Sequence, residues 1–280
     1  MSANRTQLTL TSDDGTQLAA QRWSPLGDPR AALLVIHGYA EHAERYRELG
    51  LALAERGVDT VAVDLRGHGR SAGQRGFVDR FSEYHADADA GLAAMTAAHA
   101  GRGLPRFVLA HSNGGLIALD WVATRKPDIR GLILSNPFLE VAFAVPKIKL
   151  AIGHLASRLA PRIALPSGIP PEGLSHETAI VDAYRRDPMI YSTVTAGYFR
   201  ASREAQARVR ALRRLDMPLL YAYSDADPIA SPQANAALAQ ALDSPDKTVI
   251  VRTGEFHEIL NETNRAELIA RVGDWILAHV

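Results

Sequence analysis

Short apolar runs alternate with stretches of helical period along most of this chain. The runs are Ala31 to Ile36, Asp59 to Val63, Phe107 to Ala110, Gly131 to Leu134, Pro218 to Tyr223 and Thr248 to Val251. Between and after them Arg45 to Arg56, Phe81 to Ala100, Leu116 to Thr124, Pro232 to Leu242 and Asn264 to His279 read as helices. Continuous apolar runs of this length suit strands buried on both faces. Strands alternating with helices predict parallel βαβ units and a doubly wound α/β sheet, which binds ligands at the carboxyl ends of its strands. Ahead of this rhythm, Gln7 to Leu10 and Gln17 to Trp23 flank Asp13-Asp14-Gly15, which predicts a β-hairpin.

One stretch breaks the rhythm. From Pro137 to Leu215 there is no strand pattern, but there are several helical segments and seven prolines. It reads as an inserted helical cap (137–215), with residues 1–136 and 216–280 as the two parts of the core. The cap carries twelve Lys or Arg against six Asp or Glu, a net of +6. Such a surface suits an anionic lipid interface, although a solvated basic face is the commoner reason for that charge.

Composition narrows the chemistry. Over 280 residues, 31 basic side chains balance 31 acidic ones, so no net field points to nucleic acid. The absence of cysteine removes disulfides, thiolate catalysis and Cys-based metal sites. The first residues are polar, and no apolar run is long enough to span a bilayer, so a cytoplasmic protein is expected.

The chemistry centres on one serine. Phe107 to Ala110 runs through His111-Ser112-Asn113-Gly114-Gly115 into the helical pattern that follows. This strand-to-helix turn is a nucleophile elbow, in which the positions two residues either side of the serine must be small; here they are Ala110 and Gly114. A serine hydroxyl needs a base, an acid to orient the base, and donors for the oxyanion. The loop after Pro218 to Tyr223 offers Asp225 and Asp227, and the loop after Thr248 to Val251 offers His257. Asp227 is the expected orienting acid, with Asp225 tightening the turn as an Asx residue. The oxyanion donors are expected to be the backbone N–H groups of Asn113 and Tyr39. His37 and His111 read as structural neighbours of sheet loops.

Four strings resemble the monoacylglycerol lipase and lysophospholipase branch of the α/β-hydrolase superfamily. They are His37-Gly38-x-x-Glu41-His42-x-x-Arg45-Tyr46, Asp64-Leu65-Arg66-Gly67-His68-Gly69-Arg70-Ser71, His111-Ser112-x-Gly114-Gly115 and Gly254-x-x-His257-Glu258. The resemblance implies an α/β-hydrolase fold, a mostly parallel sheet flanked by helices, with the helical cap inserted. It implies Ser112, Asp227 and His257 as a catalytic triad, Tyr39 and Asn113 at the oxyanion hole, and the glycerol end of a substrate near Glu41, Arg45 and His111. Glu41 and Arg45 have a structural alternative, the capping and opening of a helix. Three positions depart from the family pattern: Ala40 replaces a usual Gly, Asn113 a usual Met, and Leu260 a second histidine of the mammalian members. They bear on the head group, not on the triad.

The expected activity is hydrolysis of single-chain acyl glycerolipids through an acyl-enzyme, with no cofactor and no metal. A general carboxylesterase for small soluble esters is the alternative, and a non-catalytic binding protein of the same fold a remote one. Gly67 to Gly73 lacks the dinucleotide-binding spacing, and His257-Glu258-x-x-Asn261 lacks the second histidine of a zinc helix. The partners expected are a small-molecule acyl ester and, through the cap, a lipid surface.

Overall fold

The computed structural model describes residues 3–280. Strands β1 (Ala3–Thr11) and β2 (Gln17–Pro25) form the expected hairpin, in antiparallel register across the Asp-Gly turn. The apolar runs become β3 (Ala31–Ile36), β4 (Val58–Val63), β5 (Arg106–His111), β6 (Gly131–Ser135), β9 (Leu219–Ser224) and β10 (Lys247–Arg252). With the hairpin they make one eight-stranded sheet in the order β1-β2-β4-β3-β5-β6-β9-β10, parallel from β4 onward.

Alternate residues of the central strands feed two cores, which is why their runs are apolar without interruption. Leu34, Ile36, Val108 and Leu134 pack with α2 (Ser82–Ala98) and α3 (Asn113–Arg125). Leu33, Val35, Leu109 and Ile133 pack on the other face with α1 (Arg47–Glu55) and α8 (Arg265–Ala278). Helix α7 (Pro232–Ala241) packs on β9, its first turn capped by the Ser231 hydroxyl.

The segment from 137 to 215 holds α4 (Lys147–Leu159), α5 (Thr178–Arg186) and α6 (Ala196–Arg210). Contrary to the sequence reading it also holds two strands, β7 (Ala164–Pro166) and β8 (Thr193–Thr195), paired antiparallel. Three-residue strands in a proline-rich stretch are too short for a visible alternation. Helix α6 lies against α3 and sends Tyr198, Ala201, Ala205 and Val209 into the core. Helix α4 leaves Ile148, Ile152, Leu155 and Leu159 exposed.

Candidate active site

The elbow is built as its residue pattern demands. Strand β5 ends at His111 and α3 begins at Asn113, leaving Ser112 alone in the turn with φ 52° and ψ −118°. A positive φ strains a residue with a Cβ, and such strain persists only where the surroundings over-determine it. Three hydrogen bonds do so. The Ser112 N–H donates to Ser135 O at 2.9 Å, and its carbonyl accepts from the N–H groups of Leu116 and Phe138. Gly114 is required sterically, because a Cβ there would sit 2.1 Å from the carbonyl oxygen of Ile36.

Four loops meet at the carboxyl edge of the sheet, those after β3, β5, β9 and β10. The Ser112 hydroxyl donates to His257 Nε2 at 2.8 Å, and His257 Nδ1 donates to Asp227 Oδ2 at 2.7 Å. All three side chains are buried. Asp227 Oδ1 accepts from the N–H groups of Ile229 and Ala230, which fixes its second oxygen toward the histidine. Burial works against a charged His257, but the Asp227 carboxylate, with Glu258 and Glu41 beyond it, outweighs burial and lifts its pKa above the ordinary histidine value.

Asp225 does not tighten its own turn. It reaches across to accept from the Gly254 N–H at 2.8 Å, joining the two loops. The turn is tightened by Ser224 Oγ, which accepts from Ala226 N–H, and by Asp227 itself. The Asp225 side chain bonds to the next loop and not to its own backbone.

Tyr39 and Asn113 flank Ser112 on neighbouring loops. Neither backbone N–H donates to a protein acceptor among the described residues. The chain passes close behind the serine at Gly38, where a Cβ would lie 3.2 Å from Ser112 Cβ. The Asp64 to Ser71 string braces this loop. Asp64 accepts from Ala43 N–H at 2.7 Å and Arg70 N–H at 2.9 Å, and His68 Nε2 accepts from the Tyr191 hydroxyl at 2.6 Å. His37 donates through Nδ1 to Gly38 O and accepts at Nε2 from Leu65 N–H, which makes it structural as expected.

Glu41, Arg45 and His111 gather on one side of His257. Glu41 accepts from Gly38 N–H, the Tyr46 hydroxyl and Arg45 Nε, and it caps no helix. Burial alone would favour its protonated form; Arg45, with His111 and His37, instead holds it at about 2. His111 stacks obliquely on His257, the ring centroids 4.8 Å apart. Burial, with His257 alongside, pushes His111 down to about 4, so it is neutral. Its Nδ1 faces Ser135 O at 3.0 Å, a group that only accepts, so the proton sits on Nδ1 and Nε2 carries a lone pair.

Several residues at the site were given no role by sequence reasoning. Glu258 pairs with Arg45, and burial lifts its pKa above the usual carboxylate value, Arg45 pulling against that and Glu41 adding to it. Tyr184 of α5 lies under the Arg45 guanidinium, 5.1 Å from ring centroid to Cζ. Asn136, at φ 44°, donates to His257 O at 2.6 Å and accepts from Ser224 N–H at 2.7 Å, tying the end of β6 to the loops that carry His257 and Asp227. The Asn136-Pro137 turn signal after an apolar run was its one trace in the sequence. Pro171 to His176 is clamped on the histidine loop: the N–H groups of His257 and Glu258 donate to Gly173 O and Leu174 O. An open cavity of about 710 Å³ lies elsewhere, between α2, α3 and α6, and none of its lining residues belongs to this cluster.

Comparison with known proteins bears on the family and the fold. The family model described as "Serine aminopeptidase, S33" (Hydrolase_4) matches residues 27–264. A monoacylglycerol lipase of Mycolicibacterium smegmatis is 30% identical over 282 residues, covering 100% of both chains. The Homo sapiens monoglyceride lipase is 31% identical over 90% of this chain and 84% of its own length. The crystal structure of a Paleococcus ferrophilus monoacylglycerol lipase superposes with a TM-score of 0.83 at 25% identity, covering 100% of both chains. This chain therefore belongs to the S33 hydrolase family of α/β-hydrolases, and is a carboxylic ester hydrolase of the monoacylglycerol lipase type.

Proposed function

We propose that the chain hydrolyses single-chain acyl glycerolipids through an acyl-enzyme on Ser112. The observation that carries the reading is the continuous relay from Ser112 Oγ through the two nitrogens of His257 to Asp227. His257 takes the Ser112 proton on Nε2 as the oxygen attacks the ester carbonyl. The Tyr39 and Asn113 N–H groups hold the resulting oxyanion. The tetrahedral intermediate expels the glycerol alkoxide, which takes the proton from His257, and the acyl group stays on Ser112. Water then attacks with His257 again as base, and the fatty acid leaves. Asp227 stabilises the imidazolium and keeps the tautomer without taking the proton.

The head group is assigned to the Glu41, Arg45 and His111 side. The neutral His111 offers an acceptor at Nε2 for a glycerol hydroxyl, and Glu41 with Arg45 forms a fixed charged wall behind it. The exposed face of α4 supports peripheral contact with a lipid surface: Ile148, Ile152, Leu155 and Leu159 recur at i, i+4, i+7 and i+11, and are 68, 52, 61 and 76% exposed.

The test compares kcat/KM for a monoacylglycerol and a lysophospholipid of equal chain length, with Ser112→Ala as control. Preference for the glycerol ester, abolished in Ser112→Ala, is the expected result. Cleavage of short p-nitrophenyl esters with no turnover of either lipid would replace the lipid reading with that of a small-ester carboxylesterase.

A further inference from the structure

One tyrosine touches both residues whose backbones flank Ser112. Tyr198, on the first turn of α6, donates its hydroxyl to Asn113 Oδ1 at 2.9 Å. Its ring stacks on Tyr39, centroids 4.2 Å apart and planes 29° from parallel. Tyr198 and Asn113 are buried, and Tyr39 is half-buried. The position of Tyr198 is itself set at the start of its helix. The Thr195 hydroxyl caps α6 by accepting from Tyr198 N–H and donates to Gly76 O at 2.6 Å. Tyr39 ends in the same place, its hydroxyl 3.2 Å from Gly76 O and 3.1 Å from Thr193 O. Gly76 can have no side chain here, since a Cβ would lie 2.1 Å from the Tyr39 hydroxyl.

The Asn113 carboxamide has no other anchor. Its Nδ2 is buried without a hydrogen-bond partner among the described residues. The Tyr198 hydroxyl thus carries the whole polar attachment of that side chain, and a buried amide with neither end bonded is strongly disfavoured. Without Tyr198 the side chain must move to find a partner, and it would take the first residue of α3, including its N–H, with it.

We infer that Tyr198 is a positioning residue for the oxyanion site, holding Asn113 through a hydrogen bond to its side chain and Tyr39 through stacking on its ring. The inference rests on the function proposed above. It makes the geometry of the two donors depend on α6, which belongs to the segment inserted between β6 and β9, and not only on the sheet loops that carry them.

The experiment compares wild type with Tyr198→Phe, which keeps the stacked ring and removes the hydroxyl. A long-chain trifluoromethyl ketone reports binding of the tetrahedral oxyanion, and an ether analogue of monoacylglycerol reports ground-state binding. The expected result is a fall of roughly tenfold to a hundredfold in kcat, matched by the loss of ketone affinity, with ether affinity and the pH profile unchanged. Equal losses for ketone and ether, or wild-type kcat, would overturn it. On an Asn113→Leu background, which leaves no amide to anchor, Tyr198→Phe is expected to change kcat less than twofold. Persistence of the full effect there would also overturn the inference. Turnover surviving in Ser112→Ala would sink the parent reading instead; an inactive Ser112→Ala beside an unimpaired Tyr198→Phe would sink this one alone.

Discussion

At Ser112 a strained backbone and a steric requirement act together. The positive φ lifts the hydroxyl to His257, and Gly114 lets α3 approach β3 closely enough to hold that turn. Gly114→Ala would place a methyl group into the Ile36 carbonyl, a backbone atom that cannot rotate away. We expect a loss of about 3 kcal/mol in stability by urea denaturation and a kcat down by roughly a hundredfold. Wild-type values for both would mean that the close approach is not required. His257 makes the second prediction at this scale. As the proposed base it must be neutral to act, and its charged form is favoured by Asp227 beyond what burial removes. Activity should therefore fall on acidification through a pKa above the ordinary ~6.5 of a free histidine, not at it, and reach its plateau on the alkaline side. A kcat/KM profile flat from pH 5 to 8 would contradict the assignment of His257 as base. The sequence alone gives no such shift, because the balance between burial and the surrounding carboxylates exists only after folding.

At the scale of elements, the elbow was legible and the short strands within 137–215 were not. The elbow is local: an apolar strand, a small-His-Ser-x-Gly turn and a helix follow one another without a break, so spacing alone defines it. In 137–215 the helical stretches were visible, but the β7–β8 pair was too short to register. The packing of α6 against α3 depends on contacts between residues far apart in sequence, such as Tyr198 with Asn113 and Arg208 with Asp120. The exposed apolar face of α4 is the element with the clearest consequence. Replacing Ile152 and Leu155 together with Glu should cut co-sedimentation with anionic vesicles severalfold, while turnover of a soluble p-nitrophenyl ester stays within about twofold. Unchanged vesicle binding would remove α4 as the contact surface.

At the scale of the molecule, the sheet order puts four loops side by side at one edge, and buried ion pairs fasten the outlying pieces to it. Arg66, from the loop after β4, donates to Asp87 of α2, to Ser12 Oγ and to Asp14 of the hairpin turn. Asp87 is fully buried, and burial raises its carboxyl pKa against the pull of Arg66. Removing Asp87 leaves the Arg66 guanidinium with only its more exposed partners Asp14 and Glu83, a cost of about 3 kcal/mol, the low end for breaking a buried pair. Asp87→Ala should lower the unfolding free energy by that amount, seen as a reduced urea midpoint, while KM at permissive temperature holds. A change below about 1 kcal/mol would show the pair to be dispensable. The Asp64 to Ser71 string, recognised in the sequence for its resemblance, gains a physical role here: it braces the loop after β3 that flanks Ser112.

What the sequence by itself determined was what depends on near neighbours. That covers the alternation that makes a parallel sheet, the elbow around Ser112, and the order of serine, aspartate and histidine on loops after successive strands. The residue chemistry left few other choices, with no cysteine and one histidine in the right loop. What only the tertiary structure decided was how distant side chains divide their bonds. Asp225 went to Gly254, Glu258 to Arg45, Asn136 to His257 O and Tyr198 to Asn113. Each is a polar group taken out of water by folding and obliged to find a partner there, and which partner lies within reach is set by the packing of the whole chain.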